Sequence, residues 1–213
     1  MEPQSTTGSR SQHAADADEW REGLRFTEEF HMQNSAVHRA LDRLVRRLRD
    51  ADLRYAVVGA MALNGHGYRR ATVDIDILVS PAGLRAFKEE WLGRGYVEQF
   101  EGSRGVRDTE DGVPIYFLLS GEYPGDGQPQ AVRFPDPEDV AETVDGVSLA
   151  RLDTLIEMKL ASGLSAPHRL RDLADVLELV RARRLPAGFA ARLDRSVRGK
   201  YAELWHAAQT PGD

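Results

Sequence analysis

Two aspartates, Asp74 and Asp76, interrupt the apolar run Val73-Asp74-Ile75-Asp76-Ile77. In a strand, successive side chains point to opposite faces, so both carboxylates share one face while Val73, Ile75 and Ile77 share the other. At the usual strand rise the pair spans ~7 Å of backbone, close enough for its oxygens to converge on one point. Aspartate is a poor strand former, and neighbouring like charges raise each other's pKa, so something positive should offset the arrangement. Hard oxygen ligands with nothing softer nearby favour Mg²⁺ or Mn²⁺ over zinc. A plainer reading stands beside this one, in which one aspartate pairs with Arg69 or Arg70 and the other is solvated.

Ahead of the pair, Tyr55-Ala56-Val57-Val58 reads as a short strand that runs into Gly59-Ala60 and a short helix. Unpaired backbone N–H groups at such a turn, aided by the helix dipole, can cradle a phosphate. A close-packed turn is the alternative. Strand, glycine turn, spacer and Asp-Ile-Asp on a second strand together form a more specific arrangement than any one part.

The elements that must hold these residues follow from periodicity. A helix is expected from Ser35, with Val37, Leu41, Leu44, Val45 and Leu48 on one face and Arg43, Arg46, Arg47 and Arg49 mostly on a solvated one. Residues 73–79 form the second strand. Ser80-Pro81 then supplies an N-cap and a first-turn proline for a helix to about Leu92. Residues 95–100 and 113–119 read as two more strands, and Gly121 to Pro137 holds too many breakers for regular structure. Beyond that loop, helices are expected over 148–163, 168–183 and 186–208. Strands first and helices afterwards predict an α+β fold with a C-terminal helical subdomain. The expected division is a disordered tail over 1–20, an α/β core over 21–140 and the helical subdomain over 141–213.

Composition narrows the function classes. The 213 residues carry a formal net charge of −6, which argues against nucleic-acid binding through bulk charge alone. There is no cysteine, so disulfides, thiolate catalysis and cysteine zinc sites are excluded, which suits the cytoplasm. No apolar run approaches the ~20 residues needed to cross a bilayer, and Met1 to Trp20 lacks the layout of a secretory signal. The six histidines show no metal-ligand spacing, and no serine sits in a nucleophile-elbow sequence.

Read from Val57-Val58-Gly59-Ala60 through Arg69-Arg70-Ala71-Thr72-Val73-Asp74-Ile75-Asp76, the sequence resembles the DNA polymerase β-like nucleotidyltransferase superfamily. The arginine–threonine segment before the carboxylates looks like its small bacterial branch, which includes abortive-infection toxin-like and uncharacterised nucleotidyltransferases. Leu155-Ile156-Glu157-Met158-Lys159-Leu160 and Arg169-Leu170-Arg171-Asp172-Leu173-Ala174-Asp175 are similar to that branch's paired helices. The resemblance spans roughly residues 37–182 and is strongest at 57–79.

The resemblance implies a mixed sheet flanked by helices and a cleft for a nucleoside triphosphate. It also implies transfer of a nucleoside monophosphate to an acceptor hydroxyl on a small molecule, RNA or protein. Asp74 and Asp76 would hold Mg²⁺ or Mn²⁺ and serve catalysis, and Gly59 and Ala60 would face the triphosphate. Lys159 is a candidate phosphate or base contact, with a solvent-side role equally open. Arg69 and Arg70 either contact phosphate or neutralise the aspartates, and Asp172 and Asp175 are expected to ion-pair with Arg169 or Arg171 at the surface.

The sequence departs from the family pattern at one place. A third carboxylate is common on a later strand, and here Tyr116 in Gly112-Val113-Pro114-Ile115-Tyr116-Phe117-Leu118 stands where it is expected. A phenol, with an ordinary pKa of about 10, is a poor substitute for a carboxylate ligand or base. The competing expectation is therefore a catalytically degenerate domain that binds a nucleotide or a partner, as an antitoxin-like or regulatory protein.

Overall fold

The computed structural model describes residues 36–210, so the tail expected over 1–20 lies outside the described residues. Seven strands form one mixed sheet: β1 (Tyr55–Val57), β2 (Ile75–Val79), β3 (Tyr96–Glu98), β4 (Val106–Asp108), β5 (Pro114–Leu119), β6 (Ala141–Val144) and β7 (Val147–Ala150). Their order across the sheet is β3-β4-β5-β2-β1-β7-β6. β2 lies parallel to β5 and antiparallel to β1, and β1 lies parallel to β7.

The helices are α1 (36–50), α2 (Gly59–Gly65), α3 (Pro81–Trp91), the single turn α4 (Pro137–Val140), α5 (Leu152–Ser165), α6 (Leu170–Arg183) and α7 (Arg198–Gln209). Alternation along the strands sorts the apolar side chains into two layers. Val57, Ile75, Ile77, Ile115 and Phe117 face α1 and α3, where Leu44, Leu48 and Phe87 are fully buried. On the other face, Ala56, Val58, Leu78 and Ala150 pack with Leu63, Ile156, Leu160, Val176 and Tyr201 from the remaining helices. This is an α+β architecture, as the periodicity predicted, and its mixed sheet flanked by helices is what the resemblance implied.

Several expectations need correction. Residues 148–150 are strand: β6 and β7 form a hairpin around Asp145 and Gly146, both at positive φ, and β7 extends the sheet beside β1. The helix expected over 186–208 is a 3-10 turn (Ala187–Arg192) followed by α7. Val73, expected on the buried face, is 48% exposed because β2 begins at Ile75 and residues 73 and 74 form a bend. Arg43 is not on a solvated face. It grips the buried Asp108 of β4 at 3.1 and 2.7 Å, fixing α1 to the sheet, while the Arg47 guanidinium covers the Trp91 ring.

Candidate functional site

Asp76 is the second residue of β2 and projects from the face covered by the C-terminal helices, on the side of Leu78. Its parallel neighbour on β5 is Tyr116. Gly59 is set against it: the turn between β1 and α2 brings Gly59 to φ +60, and a Cβ there would lie 2.0 Å from Asp76 Oδ2. Only glycine meets both demands, the left-handed backbone and the close approach. Residues 66–74 return from α2 to β2 with Asn64 accepting from the Arg70 backbone N–H at 2.6 Å. At the end of that passage the Thr72 hydroxyl donates to Asp74 Oδ1, fixing the carboxylate.

Both aspartates line one cleft with two arms. The main arm holds about 690 Å³ and is walled by Tyr116, Leu118, Tyr123, Phe134 and Met158. The side arm holds about 400 Å³ and is lined by Ala60, Arg70, Thr72, His168 and Arg171. Gly59, Asp74, Asp76, Lys159, Arg169 and Asp172 border both arms. A separate groove of about 620 Å³ beside Arg49, Tyr55 and Pro137 has no comparable convergence of carboxylates.

Ion pairing bears on the reading in which one aspartate pairs with Arg69 or Arg70. Among the described residues, neither Asp74 nor Asp76 forms a salt bridge. Two basic groups of the cleft, Lys159 and Arg70, are committed elsewhere. Lys159 is buried on α5 and donates to Asp172 at 2.9 Å and Asp175 at 2.7 Å, and Arg70 reaches the same Asp175 oxygen at 2.6 Å. Asp175 is 2% exposed, so these are interior ion pairs rather than the expected surface pairs with Arg169 or Arg171. Arg169 comes only to 4.0 Å of Asp172 Oδ2, the oxygen that accepts from Ser162 at 2.6 Å.

The electrostatics follow from this wiring. Burial pushes the Asp76 carboxyl up to about 6, reinforced by the charge of Asp74 and opposed by Lys159. Burial also works against the Asp172 carboxylate, but the Lys159 charge with the Ser162 and Lys159 hydrogen bonds outweighs it and holds the pKa below the ordinary value. The cleft floor thus carries one well-compensated carboxylate network on α6 and one uncompensated pair on the edge of β2.

Of the residues singled out in the sequence, Asp74, Asp76, Gly59 and Lys159 meet where the arms join. Ala60 and Arg70 line the side arm, and Arg69 lines neither arm. Lys159 is 7% exposed, which removes its solvent-side reading. Sequence reasoning missed Thr72 as the residue that orients Asp74. The loop Gly121 to Gly127, whose glycines allow backbone to approach a ligand but which reads first as a plain turn, walls the main arm from Glu122 to Gly127. That loop is stitched to the end of α5 and the turn after it: the Asp126 N–H donates to Ser165 Oγ at 3.2 Å and Arg169 donates to the Gly125 carbonyl at 3.2 Å.

Three solved structures are similar to this chain. One is a protein of Thermotoga maritima described as a candidate nucleotidyltransferase, 17% identical, covering 64% of this chain and 91% of its own, with a TM-score of 0.45. A second, from H. pylori and described likewise, is 19% identical over 85% of this chain and 94% of its own, with a TM-score of 0.48. The antibiotic-resistance factor ANT(2'')-Ia is 17% identical over 84% of this chain and 97% of its own, with a TM-score of 0.49. No protein-family model and no curated protein sequence matches the chain. At this identity the three are likenesses of chain course, and the chemistry of the cleft is argued from its own residues.

Proposed function

We propose that the chain is a metal-dependent nucleotidyltransferase that moves a nucleoside monophosphate from a nucleoside triphosphate to an acceptor hydroxyl. The observation that carries this reading is the pair Asp74 and Asp76, side by side at the junction of two cleft arms with no cationic partner among the described residues. A divalent cation fits that pair: the donors are hard oxygens, and burial, with the charge of Asp74 beside it, raises the Asp76 pKa in spite of Lys159 and Arg70. Asp74 and Asp76 would hold Mg²⁺ or Mn²⁺, with too few protein donors to complete a shell and open space for water and phosphate oxygens. When bound, the cation neutralises the triphosphate and holds attacking and leaving oxygens in line.

The chain's own residues would do the positioning. Thr72 fixes the rotamer of Asp74. Gly59 leaves room for the Asp76 carboxylate, and Gly59 and Ala60 present first-turn N–H groups that lack intrahelical acceptors. Arg70 and Lys159 supply positive field beside the phosphate path without being neutral spares, since both already hold Asp175. The acceptor is a small molecule, an RNA end or a protein side chain, and the working compartment is the cytoplasm. The direct experiment combines α-labelled triphosphates and Mg²⁺ or Mn²⁺ with acceptor pools. Transfer should occur with the wild type and vanish in Asp74→Ala and Asp76→Ala, both still folded. No transfer to any pool would remove the catalytic claim.

One observation favours a second reading, a degenerate domain that binds a nucleotide or a partner without turnover. Among the described residues, no group of three acidic or histidine side chains is placed to share a cation, and Tyr116 stands in register with Asp76. Under this reading the wild type binds but does not turn over, and Tyr116→Asp gains activity.

A further inference from the structure

Tyr116 invites a question that neither reading answers: what an open phenol does beside the aspartates. β2 and β5 are parallel neighbours with Asp76 opposite Tyr116, so the two side chains rise from the same face of strands ~4.8 Å apart. Tyr116 is 41% exposed and opens into the main arm together with Asp74 and Asp76. Its hydroxyl forms no hydrogen bond with any described residue. By contrast, Tyr55 accepts from the Ser148 N–H and Tyr201 donates to the Pro186 carbonyl.

Of the other hydroxyls that line the cleft, Thr72 donates to Asp74 and Ser162 to Asp172, while Tyr123, whose ring lies under the Arg133 guanidinium, stands on the loop wall and not on the sheet. Tyr116 is the free hydroxyl that the sheet itself carries beside the carboxylates.

We propose that Tyr116 is an acceptor built into the chain, so that the cleft nucleotidylates its own tyrosine. The inference rests on the nucleotidyltransferase reading. The Tyr116 hydroxyl oxygen bonds to the α-phosphorus of a bound nucleoside triphosphate, the bond from that phosphorus to the oxygen bridging to the β-phosphorus breaks, and pyrophosphate leaves. The phenolic proton passes to water in the open arm. The product is a phosphodiester between the tyrosine and a nucleoside, with no redox change and no further reactant. The modified side chain then fills the main arm and stands between the carboxylates and any incoming acceptor.

The test uses the full chain with Mg²⁺ and each common ribonucleoside triphosphate in turn, read by intact mass and by peptide mapping. The expected result is a mass increase of one nucleoside monophosphate, mapped to Tyr116, and lost in Tyr116→Phe and Asp76→Asn. No adduct, an adduct on another residue, or an adduct that persists in Tyr116→Phe overturns the proposal. Peptide mapping of the wild type locates the site whether or not the variants fold. Melting temperatures taken on the same samples separate the two claims. A rise with Mg²⁺ and triphosphate but no adduct leaves the nucleotide site standing and removes only the self-modification; neither rise nor adduct removes both.

Discussion

Asp76→Asn should make the metal-free protein more stable at neutral pH, although it removes a residue central to the proposed chemistry. The folded state raises the Asp76 pKa from 3.8 to about 6 through burial and the charge of Asp74. One pKa unit is about 1.4 kcal/mol, so the ionised carboxylate costs about 3 kcal/mol of folding free energy once both states are deprotonated. The sign is fixed by the direction of the shift. Below the unfolded-state value both states are protonated and nothing is lost, and stability then falls as pH rises through the folded-state pKa. An asparagine amide carries no charge but must place its own N–H groups, so the net gain expected is about 1–3 kcal/mol at about pH 8. For a domain of this length that corresponds to roughly 2–10 °C in melting temperature. Urea denaturation in chelator, for wild type and variant at about pH 8 and about pH 4, measures the effect. The gap should be full at the higher pH and close at the lower. Saturating Mg²⁺ should narrow it at the higher pH by stabilising the wild type alone, by about 3 kcal/mol at a hundredfold excess over Kd. A variant no more stable than wild type at about pH 8, or a gap undiminished at about pH 4, would refute the reasoning.

Three other outcomes are expected. Gly59→Ala forces a side chain at φ +60 to within 2.0 Å of Asp76 Oδ2, so it should cost about 1–3 kcal/mol and abolish the melting shift given by Mg²⁺ and triphosphate. Lys159→Met leaves Asp172 and Asp175 partly unpaired in the interior and should cost about 3 kcal/mol by urea denaturation. Because the Asp172 pKa is held low in the folded state, its contribution is present above the unfolded-state value and is lost as pH falls through the folded one; that acid-side loss should shrink in Lys159→Met. Gly125→Ala places a methyl 1.8 Å from Ser165 Oγ at φ +79, so the loop wall should detach and limited proteolysis within 121–127 should quicken.

The motif stretch was legible because its signals are local. Alternation placed Asp76 on the face opposite Ile75 and Ile77, whereas Asp74 lies in the bend before β2 and is held at the cleft by Thr72; the glycine marked a turn that admits no side chain, and Ser80-Pro81 capped the next helix with Ser80 Oγ accepting from Gly83. What escaped reading was set by contacts between distant segments. β4 is three residues, Val106-Arg107-Asp108, and its strand character comes from pairing with β3 and β5 and from Arg43. The partners of Lys159 lie one helix further on, and nothing in the spacing of Asp172 and Asp175 says that their face turns inward. The β6–β7 hairpin is a different case. Asp145-Gly146 is a strong two-residue turn signal, but β6 is a polar edge strand whose Glu142 and Thr143 face outward, so no hydrophobic alternation supported it.

The position of β7 has a consequence for any attempt to shorten the molecule. The proline-rich passage over 121–137 is an obvious place to cut, yet β1 takes its outer partner from residues beyond it. A fragment ending there would leave the backbone amides and carbonyls on that side of β1 unsatisfied and strip the covering helices from Ala56, Val58 and Leu78. Such a piece would present a sticky sheet margin and a bare oily face together, and self-association in place of a soluble fragment is the outcome to plan for.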